Sequence, residues 1–113
     1  MKIFLYCKCK SKEDISYYIR NIIYLGAFKF KAFQIDCFDR NGHRNEIELE
    51  NVYYKNKPLL DYPIIVSRSQ FQKEIYFNSD LENFKLKSFL VFKFHNHTEH
   101  DLMVGITIYC EKI

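Results

Sequence analysis

Glycine, proline and alanine are scarce in this chain: three, two and two residues among 113. Isoleucine, lysine, asparagine, tyrosine and phenylalanine supply nearly half of it instead. All five are residues of A/T-rich codons, so this bias reports the genome more than the fold. No glycine-rich phosphate loop and no G-x-S-x-G turn is present, which removes the common phosphate-binding and serine-hydrolase signatures. Arginine is sparse, and the lysines are spread singly, so the formal charge of +3 forms no concentrated basic stripe. Nucleic acid is therefore not the expected partner. No apolar run approaches a bilayer span, and the short run Ile3-Phe4-Leu5-Tyr6 ends at lysines, unlike a secretory leader. The expectation is an intracellular or virion protein with no membrane contact. The sequon at Asn96-His97-Thr98 then has no role. No C-x-x-C pair occurs, so Cys7, Cys9, Cys37 and Cys110 read as small, reduced, buried side chains.

Apolar residues make up 48% and aromatics 18%, enough for a packed core and too much for disorder. One domain, residues 1–113, is expected. The dominant period is two, the period of a strand. KIFLYCKC (2–9) sets Ile3, Leu5, Cys7 and Cys9 against Lys2, Phe4, Tyr6 and Lys8. In AFKFKAFQIDCF (27–38) the apolar phase slips near Lys31-Ala32-Phe33, as a β-bulge would make it. Asp39-Arg40-Asn41-Gly42 reads as a turn. EIELENVYY (46–54) places Ile47, Leu49, Asn51 and Tyr53 opposite three glutamates that form its wet side. Short strands are expected at 62–67 and 70–77, a loop at Asn78-Ser79-Asp80, and longer strands at 84–94 and 102–110.

One segment fits two structures. Residues 12–24 show helical spacing at Ile15, Tyr18, Ile19, Ile22 and Ile23, with Ser11 and Asp14 resembling a capping box and Gly26 a stop. Ile15, Tyr17 and Ile19 equally alternate as in a strand, and β-branched and aromatic residues crowd the run. The sequence thus predicts an all-β, antiparallel two-sheet sandwich of jelly-roll type, with residues 12–24 as strand or one short helix.

The densest polar stretch is FHNHTEHD, residues 94–101. Its His95-x-His97-x-x-His100 pattern resembles the metal motif of the metallo-β-lactamase superfamily, with Glu99 in place of an aspartate. That family is a layered α/β sandwich with further ligands downstream, and no histidine follows His100 here. The motif therefore predicts no metal centre, no cofactor and no enzyme. It reads as the polar loop of a hairpin between two apolar strands. His95, His97 and His100 remain the only metal-ligand candidates it offers.

The stretch IIYLGAFKFKAFQIDCFDRNG (22–42), a short apolar lead, a turn and a long alternating strand, resembles small viral jelly-roll proteins. Minor capsid and penton-type proteins of virophages and related DNA elements carry such a segment. The resemblance implies a structural protein that meets copies of itself or a larger shell. Aromatic residues on both strand faces agree with this, and Phe4, Tyr6, Tyr53 and Tyr54 are the expected contact surface. The alternatives are a monomeric protein-binding module using loops 39–45 and 95–101, and, third, a small metal-dependent enzyme.

Overall fold

A computed structural model describes residues 2–19, 28–54, 56–66, 75–81 and 90–112. Nine strands are found there: β1 (Lys2–Cys9), β2 (Asp14–Ile19), β3 (Phe28–Asp39), β4 (Ile47–Tyr54), β5 (Lys57–Pro58), β6 (Ile64–Val66), β7 (Ile75–Leu81), β8 (Leu90–His95) and β9 (Leu102–Lys112). No helix occurs among the described residues. They form two antiparallel sheets packed face to face, one ordered β1-β9-β3-β7, the other β2-β8-β4-β5 with β6 also on β4. The expected all-β sandwich is what the chain adopts.

Alternation decides which side chains meet between the sheets. The first sheet contributes Cys7, Cys9, Phe33, Ile35, Cys37, Val104, Ile106 and Ile108. The second contributes Ile47, Leu49, Val52, Leu90, Phe92 and Phe94. Phe33 meets Phe92 edge to face at 5.4 Å across the gap. Burying each such ring or branched chain stabilises the fold by roughly 1.5–3 kcal/mol. Cys7, Cys9 and Cys37 are free thiols in this core. Burial pushes the first two up to about 11 and Cys37 up to about 12. The side chain of Cys110 lies outside the described residues.

Several expectations need correction. Residues 14–19 are strand, so a helix over 12–24 fails there, while 20–24 lie outside the described residues. Pairing with β8 lets Ile15 and Tyr17 cover the core, an outcome that alternation permits and a lone amphipathic helix would not need. In β4 the inward set is not Ile47, Leu49, Asn51 and Tyr53. The register against β8 slips between Leu49 and Asn51, so Glu50 is bulged and Val52 turns inward. The Asn78-Ser79-Asp80 loop is part of β7. That strand lies at a sheet edge, and its pairing to β3 is broken between Tyr76 and Leu81, which accommodates polar residues. The expected strands at 70–77 and 84–94 are seen from Ile75 and from Leu90, their earlier residues lying outside the described set.

The slip in β3 falls where the alternation placed it, with the register against β9 shifting between Phe30 and Ala32. The turn at 39–42 also forms. Gly42 has φ +80°, and its N–H donates to the Asp39 carbonyl at 3.0 Å.

Candidate functional site

Among the described residues three connections cross from one sheet to the other: 10–13 joins β1 to β2, 40–46 joins β3 to β4, and 96–101 joins β8 to β9. The register brings them to one end. Cys9, Leu102 and Asp39 form the last row of the first sheet, and Asp14, His95 and Glu48 the matching row of the second. Residues 95–101 are therefore no hairpin. β8 and β9 belong to different sheets, and the loop turns a corner of the sandwich.

A buried side chain builds that corner. Asn96, only 2% exposed, places Nδ2 within 3.1 Å of the carbonyl oxygens of Cys9, Lys10 and His100. Its Oδ1 accepts from the backbone N–H and the hydroxyl of Thr98 at 2.9 and 2.8 Å. Its backbone N–H donates to Glu13, and Ser11 donates to the Thr98 carbonyl and to Asp101. The loops 10–13 and 96–101 are thus one hydrogen-bonded unit. The Ser11 N–H holds the Asp101 carboxyl below its ordinary range.

Beside this unit lies a charged row on the outer face of the second sheet. The His95 ring, 16% exposed, is held at Nδ1 by the Asp14 carboxylate and at Nε2 by Glu50, 3.1 Å away. Glu48 lies 3.8 Å from the same Nε2, and Lys93 is 3.3 Å from Glu50. The bulge at Glu50 sets two consecutive glutamates of β4 against one imidazole. The Asp14 hydrogen bond raises the His95 pKa, with Glu50 adding to it. Its bond to His95 lowers that of Glu50, helped by Lys93. A carboxylate thus lies within hydrogen-bond reach of each His95 ring nitrogen, an arrangement that favours the protonated ring.

The three histidine candidates separate. His97 is exposed, its Nε2 3.3 Å from Glu48, and its ring centroid is 6.1 Å from that of His95. His100 is exposed and contributes its carbonyl, not its ring, to the Asn96 unit. Among the described residues no group of three or more His, Cys, Asp or Glu side chains is disposed to hold a metal ion.

The second candidate region is the outer face of the first sheet. Phe4 is 61% and Tyr6 66% exposed, and Met103 on the neighbouring strand is 45% exposed. Cross-strand rows set Phe4 by Thr107 and Gln34, and Tyr6 by Gly105 and Asp36. Gly105 leaves a dip in the middle of β9. A Cβ there would lie 3.2 Å from the Tyr6 ring, so the ring leans over the glycine. Tyr109 donates to Gln34 at 2.8 Å and closes one side of a shallow groove of about 210 Å³. Tyr53 and Tyr54 behave differently from Phe4 and Tyr6. Both are half-buried; Tyr54 packs on the core and Tyr53 donates to Glu50 at 3.3 Å. Of loop 39–45, the turn is locked by Asp39, whose carboxylate accepts the N–H groups of Asn41 and His43.

Sequence reasoning missed Asn96, Asp14 and Gly105. The sequon at Asn96 and the capping-box pattern at Asp14 point to other roles, and the partners that matter, Cys9 and Lys10 for Asn96, His95 for Asp14 and Tyr6 for Gly105, are distant in the chain. No protein-family model matches the chain, and neither the curated proteins nor the solved structures yield a significant match.

Proposed function

We propose that this chain is a non-catalytic structural or assembly protein, acting through protein–protein contacts as part of a larger particle such as a virion. The observation that carries this reading is the Phe4–Tyr6–Met103 patch on the outer face of the first sheet. A small domain whose two sheets already enclose a full core has no internal use for two aromatic rings outside it. Covering what remains exposed of each ring would gain roughly 1–2 kcal/mol. The strand order supports reading the sandwich as a jelly roll. Strand orders of β1-β9-β3-β7 and β2-β8-β4-β5 would suit the interleaved Greek keys of such a fold.

The test is solution mass by light scattering over a concentration series. A discrete trimer, pentamer or hexamer of the 13.8 kDa chain is expected, falling to monomer in the Phe4→Ser/Tyr6→Ser variant. A monomer at every concentration would favour a second reading, a binding module that uses its loops. The gathering of 10–13, 40–46 and 96–101 at one end is the observation on that side.

A further inference from the structure

We infer that the free edge of β1 is a docking site for an extended strand of another protein that is acidic at both ends and apolar between. The inference rests on the reading above that the chain works through protein contacts, and adds the partner's chemistry. β1 pairs with β9 over all eight residues without a bulge, Lys2 opposite Tyr109 through Cys9 opposite Leu102. It ends its sheet, and among the described residues no strand pairs with its other edge. Alternate residues of such a strand turn N–H and C=O groups away from their neighbour, toward an incoming backbone. Long, unbulged edges are usually blunted. Here there is no proline, and lysines, which blunt an edge against an uncharged or basic strand, stand only at the two ends of the outward set Lys2, Phe4, Tyr6, Lys8.

Charge selects the occupant. Antiparallel pairing of two β1 strands about Leu5 would set Lys2 of each copy against Lys8 of the other, two like-charge pairs directly opposite. A second copy is thereby disfavoured at this edge. A strand reading acidic-x-apolar-x-apolar-x-acidic meets both lysines with carboxylates and both rings with apolar side chains. The lysines are available for it. Lys2 rests its ammonium 5.3 Å from the Tyr109 ring centroid, and Lys8, 60% exposed, reaches only to 3.9 Å from Asp101.

The probe is a blocked seven-residue peptide with glutamate at each end, valine at its third and fifth positions and threonine elsewhere. Titrated into the full chain, it should shift the backbone amide resonances of Lys2–Cys9. A lysine-ended version of the same peptide should bind roughly tenfold more weakly. The Lys2→Glu/Lys8→Glu variant should reverse that order of preference. Equal binding of both peptides, shifts confined to other strands, or no binding at all would overturn the inference. Mass by light scattering is read in the same samples. Loss of peptide preference with the oligomer intact removes only the edge site. Monomer throughout with peptide bound at β1 removes only the self-assembly part of the reading above.

Discussion

Asn96 shows how much one side chain can do at a corner. Its amide joins the end of β1, the 10–13 connection and the 96–101 connection through five hydrogen bonds. Asn96→Ala would strand the buried Cys9 carbonyl and release Thr98, a loss of about 3 kcal/mol by urea denaturation. His100→Ala, altering an exposed ring, should change stability by less than about 0.5 kcal/mol. If the two variants proved equally stable, the corner would not depend on Asn96. His95 adds a pH dependence. Its folded pKa is raised above the ordinary value of about 6.5, chiefly by Asp14, so its contribution is complete below about pH 6.5. That contribution is lost as pH rises through the folded value. Glu50 is lowered, so its share is present above about pH 4.3 and lost as pH falls through its depressed value. The two overlap between roughly pH 4.5 and 6.5. Asp14, Glu48, Glu50, Lys93 and His97 are the charged and titratable groups around the ring. Asp14 is 66% exposed, so solvent screens the pair and the effect stays below about 1 kcal/mol. Wild type should be less stable at pH 8.5 than at pH 5.5, and His95→Gln should flatten that difference. An unchanged slope in the variant would remove His95 as its source.

At the scale of strands, much was legible, because a half-buried strand writes its faces into alternation. β1 matches residues 2–9, and the β3 bulge appears as a slip in the apolar phase at Lys31. The β4 bulge left no such mark. Asn51 and Tyr53 continue the pattern of Ile47 and Leu49 on paper, and only pairing with β8 reveals that Val52 is the inward residue. Asn51 is instead a strap. Its Oδ1 accepts the Leu60 N–H at 3.0 Å and its Nδ2 donates to the Leu60 carbonyl at 3.1 Å. This holds the break between β5 and β6, two short edge strands that would otherwise have little to fix them to β4. Asn51→Ala should cost about 1–2 kcal/mol and speed amide exchange over 57–66 while leaving β8 and β9 protected. Uniform loss of protection across both sheets would mean that the strap serves the whole core and not this edge.

For the whole molecule, what the sequence hides is partnership across distance. Alternation says which face of β1 is wet, but not that its neighbour is β9, at the other end of the chain. It gives the polar run at 95–101 as a loop, but not as a corner between sheets, so His95 reads as a solvated residue when it is clasped from two other strands. The aromatic patch is legible as residues, Phe4 and Tyr6, and becomes a surface only when β9 sets Gly105 opposite Tyr6 and Met103 in the next outward row, opposite Lys8. Ionic strength tests what that surface does. Two copies meeting through it bring together the lysines at its margin, Lys2 and Lys8, so repulsion opposes the apolar gain at low salt. Raising salt to about 0.5 M shortens the screening length to well under 10 Å and leaves apolar burial intact. Assembly through Phe4 and Tyr6 should therefore strengthen with salt, the oligomer persisting at lower protein concentration. An oligomer that dissociates as salt rises would instead be held by opposite charges, and the row of Asp14, Glu48 and Glu50 on the other sheet would be the place to look for its interface.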